Sequence, residues 1–138
     1  MDKFKEVKYC IGPMSKNIVD TIIKYCNEIN KKMILIPSRR QIEYSSNNSY
    51  VNNWCIMSFS NYIRSRTNNI YLERDHGGPG QGVKDDDGLE SLKYDCKYLD
   101  IIHIDPWKKY PDFEKGLQKT IELINFCYQE NNNIYFEV

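Results

Sequence analysis

Apolar positions in this chain recur with two alternating periods. Short apolar runs at residues 9–11, 33–36, 69–72, 101–104 and 134–138 are bounded by Gly, Pro, Asn, Asp or Lys, which is the pattern of buried strands. Between them the spacing becomes helical. Ile18, Ile22, Cys26 and Ile29 share one predicted face, with Ser15 as N-cap. Leu89, Leu92, Cys96 and Leu99 share another, and Phe113, Leu117, Ile121, Ile124 and Tyr128 a third, opened by Pro111 and Asp112. A shorter helix is predicted around residues 58–66. These apolar faces are expected to form the core.

Strands that alternate with helices need crossover connections, which favour a parallel sheet built of right-handed βαβ units. The fold class is therefore α/β. An open doubly wound sheet is one architecture with this count of elements. The other is a partial (β/α)8 TIM-type barrel, because a complete barrel needs about 250 residues and this chain has 138. The final strand has no helix after it, which favours the barrel. Residues 1–138 are expected to form a single domain.

Composition narrows the function classes. Nineteen basic and 19 acidic residues cancel, so the chain lacks the electrostatic footprint of a nucleic-acid binder. No apolar run is long enough to cross a bilayer, and the charged start has no hydrophobic region behind it, so a cytoplasmic protein is expected. Five cysteines without a C-x-x-C spacing indicate neither a disulfide framework nor a zinc knuckle. Cys26, Cys96 and Cys127 fall on the apolar helix faces and are expected to pack as small hydrophobes. The chain has no alanine and is rich in Asn, Ile, Lys and Tyr, so Asn47, Asn48, Asn52, Asn53 and residues 131–133 carry little functional weight.

The run from Glu73 to Gly82 is where chemistry concentrates. It ends the third strand with Asp75 and His76 and continues into Gly77, Gly78, Gly80 and Gly82, at the carboxyl end where parallel sheets and barrels place their sites. Asp75 and His76 either belong to a site or cap the following turn. The loop matches neither the nucleotide phosphate loop nor the dinucleotide glycine pattern. Asp85, Asp86 and Asp87 suit a helix start. Ser38, Arg39, Arg40 and Gln41 follow the second strand, where two guanidinium groups either grip a phosphate or carboxylate or pair with Glu43 and the acidic run. His103 lies among isoleucines as a core histidine or a ligand. Asp105 ends the fourth strand, facing a pocket or forming a turn. Glu137 is an acid in an apolar strand, a position that needs a cation or water.

The ordered series of Asp75 and His76 after the third strand, His103 and Asp105 at the fourth, and Glu137 on the fifth resembles the class II sugar-bisphosphate aldolases. It is most similar to the tagatose-bisphosphate aldolase accessory, or non-catalytic, subunits. The resemblance spans about the first five βα units and implies the N-terminal part of an aldolase-like TIM barrel. It implies Asp75 as the proton-transferring residue, His76, His103 and Glu137 as ligands of zinc, and Ser38, Arg39, Arg40, Gln41, Gly77, Gly78 and Asp105 as substrate-binding. Aldolases of the family more commonly show asparagine where this chain has Arg39. Two functions follow from the resemblance. One is a truncated aldolase-like accessory or sugar-phosphate-binding protein that is not an active aldolase by itself. The other is a zinc-dependent ketose-bisphosphate aldolase, a carbon–carbon lyase, assembled as a homo-oligomer or with a partner barrel subunit.

Overall fold

Each crossover in this protein advances the sheet by one strand and never reverses. The computed structural model describes residues 2–45 and 49–138. After a 3-10 turn at Asp2–Phe4 come β1 (Cys10–Ile11), α1 (Lys16–Ile29), β2 (Met33–Leu35), α2 (Ile56–Arg64), β3 (Ile70–Gly77), α3 (Leu89–Tyr98), β4 (Ile101–Ile104), α4 (Phe113–Glu130) and β5 (Tyr135–Glu137). All neighbouring strands are parallel, in the order β1-β2-β3-β4-β5. A doubly wound sheet changes direction at a switch point. This order has none and is that of a (β/α)8 barrel, of which the chain forms an arc.

Side-chain alternation divides the sheet into two faces. Met33, Leu35, Ile70 and Leu72 pack against Val19, Ile23, Phe59 and Ile63 of α1 and α2. Ile102 and Ile104 pack against Leu92, Cys96, Leu123 and Cys127 of α3 and α4. The opposite, inner face gathers Ile34, Tyr71 and Ile101, with Phe4 and Val7 against them. The Phe4 ring meets Tyr71 and Tyr135 edge-on, each at 4.9 Å between centroids. This aromatic trio closes the amino-terminal floor of the arc.

The helix starts follow the capping expectation. Ser15 Oγ accepts from the Ile18 amide at 3.3 Å, and Asp112 Oδ1 from the Lys115 amide at 3.1 Å. Cys26, Cys96 and Cys127 are buried and free, as their spacing predicts. The face of α4 differs from expectation. Phe113, Leu117, Ile121 and Tyr128 point outward, with exposures of 66%, 41%, 46% and 58%. Gly116, Thr120, Leu123 and Cys127 are the buried side. The cause is close approach at Gly116, where an added Cβ would lie 2.2 Å from Trp107 Cζ3. On α1 the buried residues are Val19, Ile23 and Cys26, while Ile29 faces water.

The polar segment after β2 turns through Asn52 and Asn53, both left-handed at φ 54° and 51°. Asn47 and Asn48 lie outside the described residues. Behind the sheet, the fully buried Arg74 makes a two-pronged ion pair with the equally buried Asp95, at 2.7 and 3.0 Å. Its remaining nitrogen reaches the carbonyls of Pro37 and Ile42. One guanidinium thus ties β3, α3 and the segment after β2 together.

Candidate metal centre

Strand β3 is longer than the apolar run alone predicts, and its extension carries the chemistry. Tyr71, Glu73 and Asp75 alternate on the inner face, while Arg74 points to the helices. His76 would by alternation follow Arg74. Instead the register slips between Arg74 and Gly77, and His76 takes φ 51°. A bulge of this kind re-aims a side chain. Here it swings the imidazole to 4.8 Å from the His103 ring, centroid to centroid. A left-handed backbone at a non-glycine residue carries strain, which is a mark of functional positions. Gly77 allows the tight join, since a Cβ there would lie 3.0 Å from the His103 carbonyl oxygen.

Asp75, His76 and His103 each offer one ligand atom, and these atoms all lie within 4.8 Å of one another. His76 Nε2 is 3.3 Å from Asp75 Oδ1. Two ligands bonded at ~2.0 Å to a tetrahedral ion stand roughly 3.3 Å apart, so this separation suits one small cation between them. Two imidazoles and a carboxylate are also donors that zinc accepts.

The other face of His76 is held by Asp105. His76 Nδ1 and Asp105 Oδ2 are 2.6 Å apart. The same oxygen accepts from Gln81 Nε2 at 3.0 Å, and Oδ1 accepts from the Trp107 amide at 3.1 Å. A carboxylate that collects donors on both oxygens has no proton to give, so Nδ1 is the donor to it. The Nε2 lone pair then faces Asp75 and His103. Asp105 thus holds the turn at Trp107 with one oxygen and braces His76 with the other.

Beneath Asp75 on the same strand face lies Glu73, a buried acid that spacing alone could have found as the i−2 neighbour of Asp75. Burial, a hydrogen bond to Glu137 and the charges of Glu137 and Asp75 push its carboxyl up to about 8. Burial, and then the same two glutamates, also raise the Cys10 thiol on β1. Glu137 is the register partner of His103, yet it engages Glu73 and is not among the three clustered donors.

The segment after β2 is placed differently from the resemblance. Ser38 bridges to Asp75 across the strand ends, next to the cluster. Arg39 is buried, with both prongs on Glu43 at 3.1 and 3.2 Å and both on Asp86 at 2.8 Å, and a further contact to the Gly78 carbonyl. The guanidinium is spent on fastening the glycine loop to the segment after β2. Its bonds hold Asp86 below the usual carboxylate range. Gln41 is buried too, bonding the Ser38 amide and the Pro13 carbonyl. Arg40 alone of this group is exposed. The acidic run divides its work: Asp85 pairs with Lys109, Asp86 with Arg39, and only Asp87 accepts from the first helical amide, that of Leu89. Gly78 takes φ 126° and packs 3.4 Å from the Asp105 carbonyl oxygen, measured from where a Cβ would stand.

Neither a family profile nor a curated protein matches the sequence. Solved structures do share the fold. One is named as a probable tagatose 6 phosphate kinase from Sinorhizobium meliloti 1021, with a TM-score of 0.65, 10% identity, and coverage of 92% of this chain and 37% of that one. Another is named as a "putative fructose-1,6-biphosphate aldolase" from Coccidioides immitis, with a TM-score of 0.64, 15% identity, and coverage of 97% of this chain and 46% of that one. The chain thus spans less than half the length of either. At these identities the likeness is one of fold.

Proposed function

We propose that this chain binds a divalent cation of the zinc class at Asp75, His76 and His103, and a phosphorylated sugar beside it, as an aldolase-like accessory or sugar-phosphate-binding protein. The observation that carries this reading is the convergence of three donor atoms at the carboxyl ends of β3 and β4. A bound zinc ion would supply Lewis-acid polarisation of a carbonyl and an adjacent hydroxyl oxygen. The chain's own residues do the rest. Asp105 orients His76, and Asp75, through the carboxylate oxygen left free of the cation, would accept a sugar hydroxyl proton. Ser38 borders the same spot. Residues 1–138 act as one domain in this reading, the N-terminal part of an aldolase-like barrel.

The test is a zinc titration against a chelating dye, with His76→Ala and His103→Ala. Wild type should bind one equivalent, and each variant should lose that binding. Retention by both variants would remove the site. Metal-dependent cleavage of ketose bisphosphates should be absent from the purified chain. Robust turnover abolished by Asp75→Asn would replace the accessory reading with an enzymatic one.

A second reading, a zinc-dependent ketose-bisphosphate aldolase assembled as a homo-oligomer or with a partner barrel subunit, is favoured by the outward apolar stripe of α4 at Phe113, Leu117, Ile121 and Tyr128. Light scattering during size exclusion decides it. A dimer that turns over ketose bisphosphate supports it, and a monodisperse monomer removes the homo-oligomer.

A further inference from the structure

The two strands that build the metal cluster, and the segment after β2 that borders it at Ser38, also lead cations to a second place. Residue 40 follows Ser38, Gly80 and residues 82–85 follow His76, and residues 108–109 follow Asp105. Together they wall an open basin of ≈ 340 Å³ in which Arg40, Lys84, Lys108 and Lys109 face a single acid, Asp85. The chain as a whole has no net charge, with 19 basic and 19 acidic residues. Four cations against one anion in a single concavity is therefore a local departure from the surface average.

Two of the four are already positioned. Lys108 Nζ donates to the Gly80 carbonyl at 2.7 Å, and Lys109 Nζ bridges Asp85 at 2.7 Å and the Asp86 carbonyl at 3.2 Å. Arg40 and Lys84 make no ion pair or side-chain hydrogen bond among the described residues. The floor is firm, because Gly82 is pressed against Arg39, where a Cβ would lie 2.6 Å from Nη2. The basin is joined to the metal cluster by one side chain. Gln81, between Gly80 and Gly82, donates to the Asp105 oxygen that also holds His76.

The geometry points to an anion subsite here, formed by Arg40 and Lys84 with Lys108 and Lys109, that takes the phosphate monoester of the ligand whose oxygens meet the metal cluster. A doubly charged phosphate with three acceptor oxygens fits two unengaged cations and two pre-positioned ones. The choice of a phosphate ester over another small dianion rests on the function proposed above. The basin itself does not.

The experiment is a titration of the full chain with inorganic phosphate, followed by amide chemical shifts at low ionic strength, with and without zinc. It is repeated on Arg40→Ala/Lys84→Ala and on Lys84→Glu, with melting curves to confirm that each variant is folded. Phosphate should saturate the wild type and shift the amides of residues 80–84 and 108–109. The double variant should bind about tenfold or more weakly, as expected for lost charge-assisted bonds. Zinc affinity should be unchanged in it. With zinc present, a ketose monophosphate should bind more tightly than inorganic phosphate, because one molecule then reaches both places. Unsaturable shifts, or equal phosphate affinity in the folded variants, would overturn the subsite. If the monophosphate gains nothing from zinc, the link to the metal cluster is overturned. If wild type binds phosphate through Arg40 and Lys84 yet binds no zinc, the metal reading falls and the basin stands.

Discussion

Asp105 Oδ2 lies 2.6 Å from His76 Nδ1 and fixes which nitrogen of that ring is left for a ligand. Free imidazole prefers its proton on the other nitrogen, so the contact imposes a choice. Asp105→Ala should lower zinc affinity about 10–100-fold, the usual cost of losing the group that orients a ligating histidine. Nitrogen-15 spectra of the metal-free protein give a second readout. They should show Nδ1 protonated in wild type and the opposite tautomer in the variant. An unchanged tautomer would refute the orienting role.

The buried pair of Arg74 and Asp95 makes a prediction about stability alone. Both side chains are fully buried, so removing one leaves an uncompensated charge. Asp95→Ala should cost about 3–5 kcal/mol in chemical denaturation. Arg74→Met combined with Asp95→Leu should recover only part of that loss, since it removes both charges but also takes the Arg74 donor from the Ile42 carbonyl.

Asp86 supplies the acid limb. Its hydrogen bonds from Arg39 hold its carboxyl below the usual value of 3.8 in the folded protein. The folded form thus favours the ionised state. The stabilisation is present above the unfolded value and is lost as pH falls through the lower folded one. Asp86→Asn should cost roughly 1–2 kcal/mol at neutral pH, discounted because part of the side chain meets water. Denaturation at pH 7 and again near pH 3 should show the gap between variant and wild type closing.

Two glycines of the loop after β3 differ sharply. At Gly88, φ is 76° and an added Cβ would stand 2.3 Å from the Gly78 carbonyl carbon and 2.7 Å from the Pro79 nitrogen. Backbone cannot yield there, so Gly88→Ala should cost at least about 2 kcal/mol and weaken zinc binding by displacing Gly78. Gly80 has a similar φ of 71°, but its nearest neighbour is the Lys109 side chain at 3.4 Å. Gly80→Ala should cost only about 1 kcal/mol. Paired melting curves test the contrast.

Periodicity was enough to order the strands and helices, because each element is short, punctuated and locally consistent. It misjudged α4, where two apolar stripes compete and the choice is made by the close approach of Trp107 to Gly116, a tertiary contact. In the candidate site, Asp75 and His76 were legible as acid and imidazole at a strand end. Their meeting with His103 was implied by the resemblance but not by periodicity, since it depends on a register slip that no pattern of residue types announces. Arg39 shows the opposite error. Its type suggested a ligand, and the competing reading, pairing with Glu43 and the acidic run, is what its burial enforces. Gln81, Lys84, Lys108 and Lys109 carried no signal, because polar residues in loops acquire a role only when separate loops meet.

The contact of Phe4 with both Tyr71 and Tyr135 joins the first turn of the chain to its last strand. Such a contact spans nearly the whole described sequence, so it is entropically among the last to form in folding. During synthesis the first turn can settle on Tyr71 once β3 has emerged, but its contact with Tyr135 must wait for β5. A probe placed on the Phe4–Tyr135 contact would therefore time the completion of the inner face rather than the start of folding.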